Sequence, residues 1–358
     1  MKTIKTIKTM KTIKTMKTMK YLLIASFVFT IASCSDNDDL IPIVEEYDNG
    51  LFVTCEGNFM SSNASLSFIA EDGSIENGIF QEVNGFPLGD VVQSMSIIDT
   101  LAYIVVNNSG KVVVADAGTM EFIANIEGVG SPRYITQAGQ GQAYITDSNG
   151  QVHVLDLNTN EIIESISVGY APEQVITIEN YAFVANSGWG SGNSISVIDI
   201  TTNQIVETLT VADNPTNLAF DGSYLWVMSS GNTLYDENWS VIGHTAGALT
   251  AINAASFAVE KTFNFIEGEH PSSLIAYAGE LYFKNGASIY KQSVDAAALS
   301  PLELTSGNYY GQITFYNEHI YATDALDFSQ NGLVHKYTVN GDLVDSYQVG
   351  IIPGNFAF

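Results

Sequence analysis

The sequence predicts an all-β protein, a seven-bladed β-propeller with four antiparallel strands per blade. Three observations carry this. An apolar–aromatic–apolar triplet recurs seven times, a proline-type strand also recurs seven times, and the two series are offset at the chain ends. The triplets centre on Phe52, Tyr103, Tyr144, Phe183, Trp226, Tyr282 and Tyr321, mostly 39–43 residues apart with two longer gaps. Short strands at that period, separated by Gly, Asn and Asp turns, describe one propeller blade per repeat.

Within a repeat the elements follow in order. After the triplet strand comes a second alternating strand ("KVVVADAGT", "QVHVLDLNT", "SISVIDITT"), then a third ("EFIANIEGV", "EIIESISVG", "QIVETLTVA"). A proline then opens a fourth. Pro132, Pro172, Pro215 and Pro271 suit the first residue of a strand, where the missing N–H costs little. The proline-type series spans 91–98, 132–137, 172–178, 215–220, 271–277, 311–316 and 353–358. The repeats begin with a triplet strand and end with a proline-type strand. The last strand therefore joins the first three, which closes the ring and removes exposed sheet edges.

Residues 1–33 read as a signal peptide: a lysine-rich start, then the thirteen-residue apolar stretch "YLLIASFVFTIAS". That stretch is shorter than the roughly 20 residues a spanning helix needs. The "IASC" ending resembles a bacterial lipobox, which implies lipidation of Cys34 and anchoring in the outer membrane. The alternative is a buried or disulfide-bonded thiol, Cys55 being the one other cysteine. The following "SDNDD" resembles the export signal that sends Bacteroidetes lipoproteins to the outer face. Residues 34–49 then form a lipidated cysteine with an acidic linker, and 50–358 the propeller. Without its signal the chain carries six basic residues against thirty-nine acidic ones, a formal charge of −33. Such a surface repels phosphate backbones and excludes nucleic acid as a partner.

Segments such as "YAFVANSGWGSGNSISVIDITTNQIVETLTVADNPTNLAF" resemble the YVTN-type propeller repeat. The opening "GLFVTCEGNFMSSNASLSF" is similar to the start of Bacteroidetes surface propeller lipoproteins, which usually show Asn-Glu-Gly-Asn. Here the motif is Cys55-Glu56-Gly57-Asn58, with Cys55 replacing the first Asn. The resemblance covers residues 50–358. It implies a binding module, and some members capture cobalamin beside a TonB-dependent transporter.

With strands a to d counted outward from the channel, the b–c and d–a connections share one face. The b–c loops are elaborated: 56–63, 186–193, 324–331 and the long 229–247. Loops on a rigid scaffold are where function concentrates. Candidate ligand-contact residues on this face are Asn58, Phe59, Asn107, Arg133, Tyr170, Asn186, Trp189, Tyr235, Trp239, His270, Tyr309 and Tyr310. The aromatics would cover apolar ligand faces, and Asn58, Asn107, Asn186 and Arg133 would hydrogen-bond amides or phosphate. Three of these have a packing alternative. Trp189 and Trp239 could cap gaps between blades, and Arg133 could pair with an acid of a neighbouring blade. Trp226, at the repeated position, is assigned to the core. His244 and His270 share the face as a possible metal pair.

Metalloprotease, P-loop, nucleophile-elbow, Cys-x-x-Cys and calcium-loop motifs do not occur. The expectation is therefore a binding protein rather than an enzyme, with no cofactor. Its expected ligand is cobalamin or a related corrinoid, passed to a TonB-dependent transporter. The alternative is a cell-surface scaffold for a protein or glycan.

Overall fold

The computed structural model describes residues 47–358; the signal segment, Cys34 and the linker as far as residue 46 lie outside the described residues. Seven four-stranded antiparallel sheets form the blades, joined by one two-stranded hairpin. The innermost strands are Val92–Ile98, Pro132–Gln137, Pro172–Ile178, Pro215–Phe220, Ser272–Tyr277, Tyr309–Tyr316 and Pro353–Ala357. Each neighbours the next, and the last returns to the first, making a closed ring. Blade 1 is built from both ends of the described chain. Pro353–Ala357 pairs with Gly50–Cys55, which continues into Ser65–Ala70 and Ile75–Asn77. Blades 2 to 7 then follow in chain order.

The triplet aromatics are all buried, so each repeat places one large ring in the core. Trp226 is the largest; its Nε1 donates to Asp221 Oδ2 at 2.7 Å and its ring stacks on Phe263. The clusters lie between blades. Phe52, Phe68, Met95 and Ile104 join blades 1 and 2, while Tyr103, Val105, Ile135 and Ile145 join blades 2 and 3. Packing reaches back to Tyr47, whose ring meets Phe68 edge-on at 5.3 Å.

The turn between the outer two strands repeats a device. Asp116, Asp156, Asp199 and Asn253 each accept a backbone N–H two residues on. Such local bonds favour a turn over a continued strand. Met120, Asn160, Asn203 and Phe257 follow at positive φ, beside the same register shift in four blades. The two longer gaps between triplets have separate causes. A helix of one and a half turns, Ile79–Asn84, fills the first and buries Ile79 and Phe80. Nothing in the alternating pattern announces it. The second holds the hairpin Thr233–Tyr235 and Val241–His244.

Closure can be tested through Phe356, buried in the last strand among Leu51, Val53 and Tyr347. Phe356→Ala should lower the unfolding free energy by about 3 kcal/mol, as for other buried Phe truncations. Urea denaturation followed by circular dichroism measures it, and an unchanged midpoint would mean the last strand does not close the ring.

Candidate functional site

All seven inner strands shift register near their first residues, a β-bulge in the same place in each blade. Bulges re-aim the side chains beside them. Counting back three residues from the partner of each triplet aromatic gives one equivalent position per blade. Its occupants are Gln93, Arg133, Glu173, Thr216, Ser272, Gly311 and Gly354. All seven line a single cavity of ≈ 550 Å³ at the channel mouth, on the face of the b–c loops.

The ring is lopsided. On one side Arg133 joins three blades. Its Nε and Nη2 donate to Glu173 Oε2 at 3.0 and 2.8 Å, and its Nη1 donates to Gln93 Oε1. Burial holds the Glu173 carboxyl above the usual carboxylate range, with Arg133 working against that shift. On the other side glycine is a packing requirement. A Cβ on Gly311 would stand 2.1 Å from the Gly354 carbonyl oxygen, so the innermost strands of blades 7 and 1 touch there.

Above Arg133 sits Trp189, its ring centroid 5.8 Å from the guanidinium carbon, within cation–π range. The loop around it is tightly turned. Gly188, Trp189 and Gly190 all have positive φ, and a Cβ on Gly192 would lie 2.4 Å from the Asn186 carbonyl oxygen. Across the mouth, Tyr310 donates its hydroxyl to Glu56 Oε2 at 3.3 Å and packs edge-on against Phe328. Burial raises the Glu56 carboxyl, and Tyr310 and Arg133 oppose that rise.

The second basic group at the mouth is Lys284. Its position in the repeat is held in blades 1, 3 and 7 by Thr54, Thr146 and Thr323. Each of those hydroxyls accepts a backbone N–H from the bulged inner strand of its own blade, at Asn355, Tyr134 and Gly311. Lys284 instead crosses to blade 7, donating to the carbonyls of Tyr310, at 2.6 Å, and Gly311. It is buried, and desolvation lowers its pKa to about 8.

The structure divides the residues expected to contact ligand. Phe59, Asn107, Arg133 and Tyr310 line the cavity, and Trp189 overhangs it. Asn107 Nδ2 donates to the Pro132 carbonyl at 2.8 Å, fixing the start of the next inner strand. Asn58 ties its loop across the closure seam, donating to the Phe328 carbonyl at 2.6 Å. Tyr170 is exposed beside the Trp189 loop, its carbonyl accepting the Gly188 N–H at 3.0 Å. Tyr235 and Trp239 are exposed together on the hairpin, ring centroids 6.0 Å apart, and His270 lies at that hairpin's base. Two residues make their side-chain hydrogen bonds within their own blades. Asn186 is buried inside blade 4, its Nδ2 donating to Ser194 and Ser196, so it presents no amide to a ligand. Tyr309 is half-buried, its hydroxyl donating to that of Tyr337 at 2.9 Å, and it lines a smaller pocket beside Tyr310, Leu326 and Phe328. Cys55, where the resemblance expects Asn, is buried against Ser67, its thiol pushed up to about 11 by desolvation.

Sequence reading missed Gln93, Glu173, Lys284 and Gln312 as mouth residues. The available signal was the 40-residue offset that places Gln93 and Glu173 either side of Arg133.

Lys284 yields a pH prediction. The folded chain releases this proton at lower pH than the unfolded chain, so the unfolded state binds more protons between about pH 8 and 10.5. Stability at this group therefore rises across that window. Relative to Lys284→Met, the native protein should gain on the order of 2 kcal/mol between pH 8 and pH 10 in urea titrations. Parallel pH curves for the two proteins would refute the buried ammonium.

Several solved structures share the architecture. A quinonprotein alcohol dehydrogenase-like protein from Bacteroides thetaiotaomicron superposes with a TM-score of 0.65 at 12% identity, covering 87% of this chain and 78% of that one. Kuenenia stuttgartiensis hydrazine synthase gives 0.62 at 15% identity, covering 75% and 89%. BamB from Moraxella catarrhalis gives 0.55 at 15% identity, covering 86% and 85%. At such identities the likeness establishes the fold alone. No curated protein sequence matches the chain. A family model described as a domain of unknown function, DUF5074, matches residues 49–352, and the chain belongs to that family.

Proposed function

We propose that the protein is a non-catalytic capture module whose mouth face binds a corrinoid for a TonB-dependent transporter. A lipid on Cys34 would hold it to the outer membrane at the cell surface. One observation carries the binding reading. Each of the four elaborated b–c loops holds a bulky apolar residue at left-handed φ: Met60, Trp189, Trp239 and Phe328. All four side chains are exposed, Trp239 by 82% and Met60 by 77%. Such conformations cost about 1–3 kcal/mol each and persist where surrounding structure enforces them. The loops thus hold apolar side chains outward around a polar mouth.

That arrangement suits a ligand with apolar faces and polar arms. A complete corrinoid, macrocycle and arms together, is too large for the ≈ 550 Å³ cavity, so it would lie across the rim. Its amide arms would enter among Gln93, Gln312 and Asn355, with Trp189 against one face. The sequence resemblance supports the same ligand class. A second reading, a scaffold for a protein partner, is favoured by the hairpin, where Ile242 and Val241 are 67% and 55% exposed beside Trp239.

Calorimetric titration with cyanocobalamin separates the readings. Capture at the mouth should give sub-micromolar affinity, weakened at least tenfold by Trp189→Ala, about 1.4 kcal/mol. No heat up to about 100 µM ligand, roughly −5.5 kcal/mol on the affinity scale, would reject the corrinoid and leave the scaffold.

A further inference from the structure

At the base of the hairpin three polar atoms form a triangle. His244 Nδ1 and His270 Nε2 are 3.3 Å apart, and Thr233 Oγ1 is 3.3 Å from each. As hydrogen bonds all three sides are long, since such contacts cluster near 2.8–3.0 Å. As the edges of a metal's coordination sphere they fit. Ligand atoms at about 2.0–2.1 Å from a tetrahedral zinc ion lie roughly 3.3–3.4 Å from one another.

The surroundings favour the same use. His270 Nδ1 lies 2.9 Å from the Ser230 carbonyl oxygen, which can only accept. That bond puts the ring proton on Nδ1 and leaves the Nε2 lone pair facing the triangle, the usual orientation of a metal-binding imidazole. Thr233 and His244 are direct cross-strand partners, so the hairpin register itself brings them together. A Cβ on Gly268 would stand 3.6 Å from His244 Cδ2, so the loop that leads into His270 runs close past the His244 ring. His270 is exposed, which leaves outer coordination positions open to solvent. Among the described residues no group of three or more His, Cys, Asp or Glu clusters, so this would be a two-imidazole site completed by the threonine hydroxyl and solvent.

We infer that His244, His270 and Thr233 form a binding site for a late first-row divalent cation of the zinc class, joining the hairpin to the entry of blade 6. Imidazole nitrogen suits zinc, copper and nickel better than calcium or magnesium. The site is independent of whatever the mouth binds. A bound ion would fix the base of the hairpin that displays Tyr235 and Trp239.

The test is titration of the metal-stripped full chain with Zn²⁺ against a chromophoric chelator, repeated with Co²⁺ for its visible spectrum. The expected result is one saturable site with the strong visible bands of tetrahedral cobalt. His244→Ala and His270→Ala should each weaken it at least tenfold, and Thr233→Val less. His319→Ala, at a surface histidine in blade 7, should leave it unchanged. Cobalt spectra and zinc affinity unaltered in both histidine variants, or no competition up to about 100 µM Zn²⁺, would overturn the site. Circular dichroism of each variant guards against a folding defect.

Discussion

The hydrogen bonds between Pro353–Ala357 and Gly50–Cys55 hold together residues some 300 positions apart, and the mouth is assembled around them. Glu56 and Gly57 extend the seam by donating their backbone N–H groups to the carbonyls of Ile352 and Ile351. That fixes Glu56 opposite Tyr310 and sets Gly354 against Gly311. An open ring would leave an unpaired inner edge and let blades 1 and 7 part. The cavity would then lose the wall that Glu56, Gly311 and Gly354 supply. The polar site therefore exists only in the closed molecule, although no single blade is unusual.

The fold was legible because its evidence is repeated: seven triplets and seven proline-type strands each report the same burial pattern. The rim was legible too, since Trp189 and Trp239 sit in loops visibly longer than their counterparts. The ring beneath was hidden for a physical reason. Its seven members share a backbone position and no chemistry, running from arginine to glycine, so no motif forms. Asn186 was misread for a different reason. It stands at a strand end, where one residue of register decides between the blade interior and the open face. Helix Ile79–Asn84 is too short to show a helical period.

Comparison between blades shows how a repeat acquires a site. Thr54, Thr146 and Thr323 perform one structural task, satisfying the bulge beside them. At the equivalent point Lys284 keeps a bonding role and changes its object, reaching the neighbouring blade and bringing a charge to the channel wall. Arg133 does the same along the inner ring, bonding Gln93 and Glu173 of the flanking blades where blades 1, 5, 6 and 7 place Gly, Thr, Ser and Gly. Specialisation at the mouth thus needs few substitutions, because the bulges already aim that position inward.

Electrostatics gives these two cations a kinetic meaning. Residues 47–358 hold thirty-four acidic and six basic side chains, and two of the six face the mouth. An approaching anion meets a repulsive field at long range, and only on arrival the two cations, which share the cavity with the Glu56 and Glu173 carboxyls. Salt screens the first over about 8–10 Å and reaches the second far less. Anion capture should therefore speed up with ionic strength, the reverse of ordinary electrostatic steering. A neutral ligand would arrive at a rate indifferent to salt. The acidic shell thus acts as a filter on encounter, set before any contact at the rim is made.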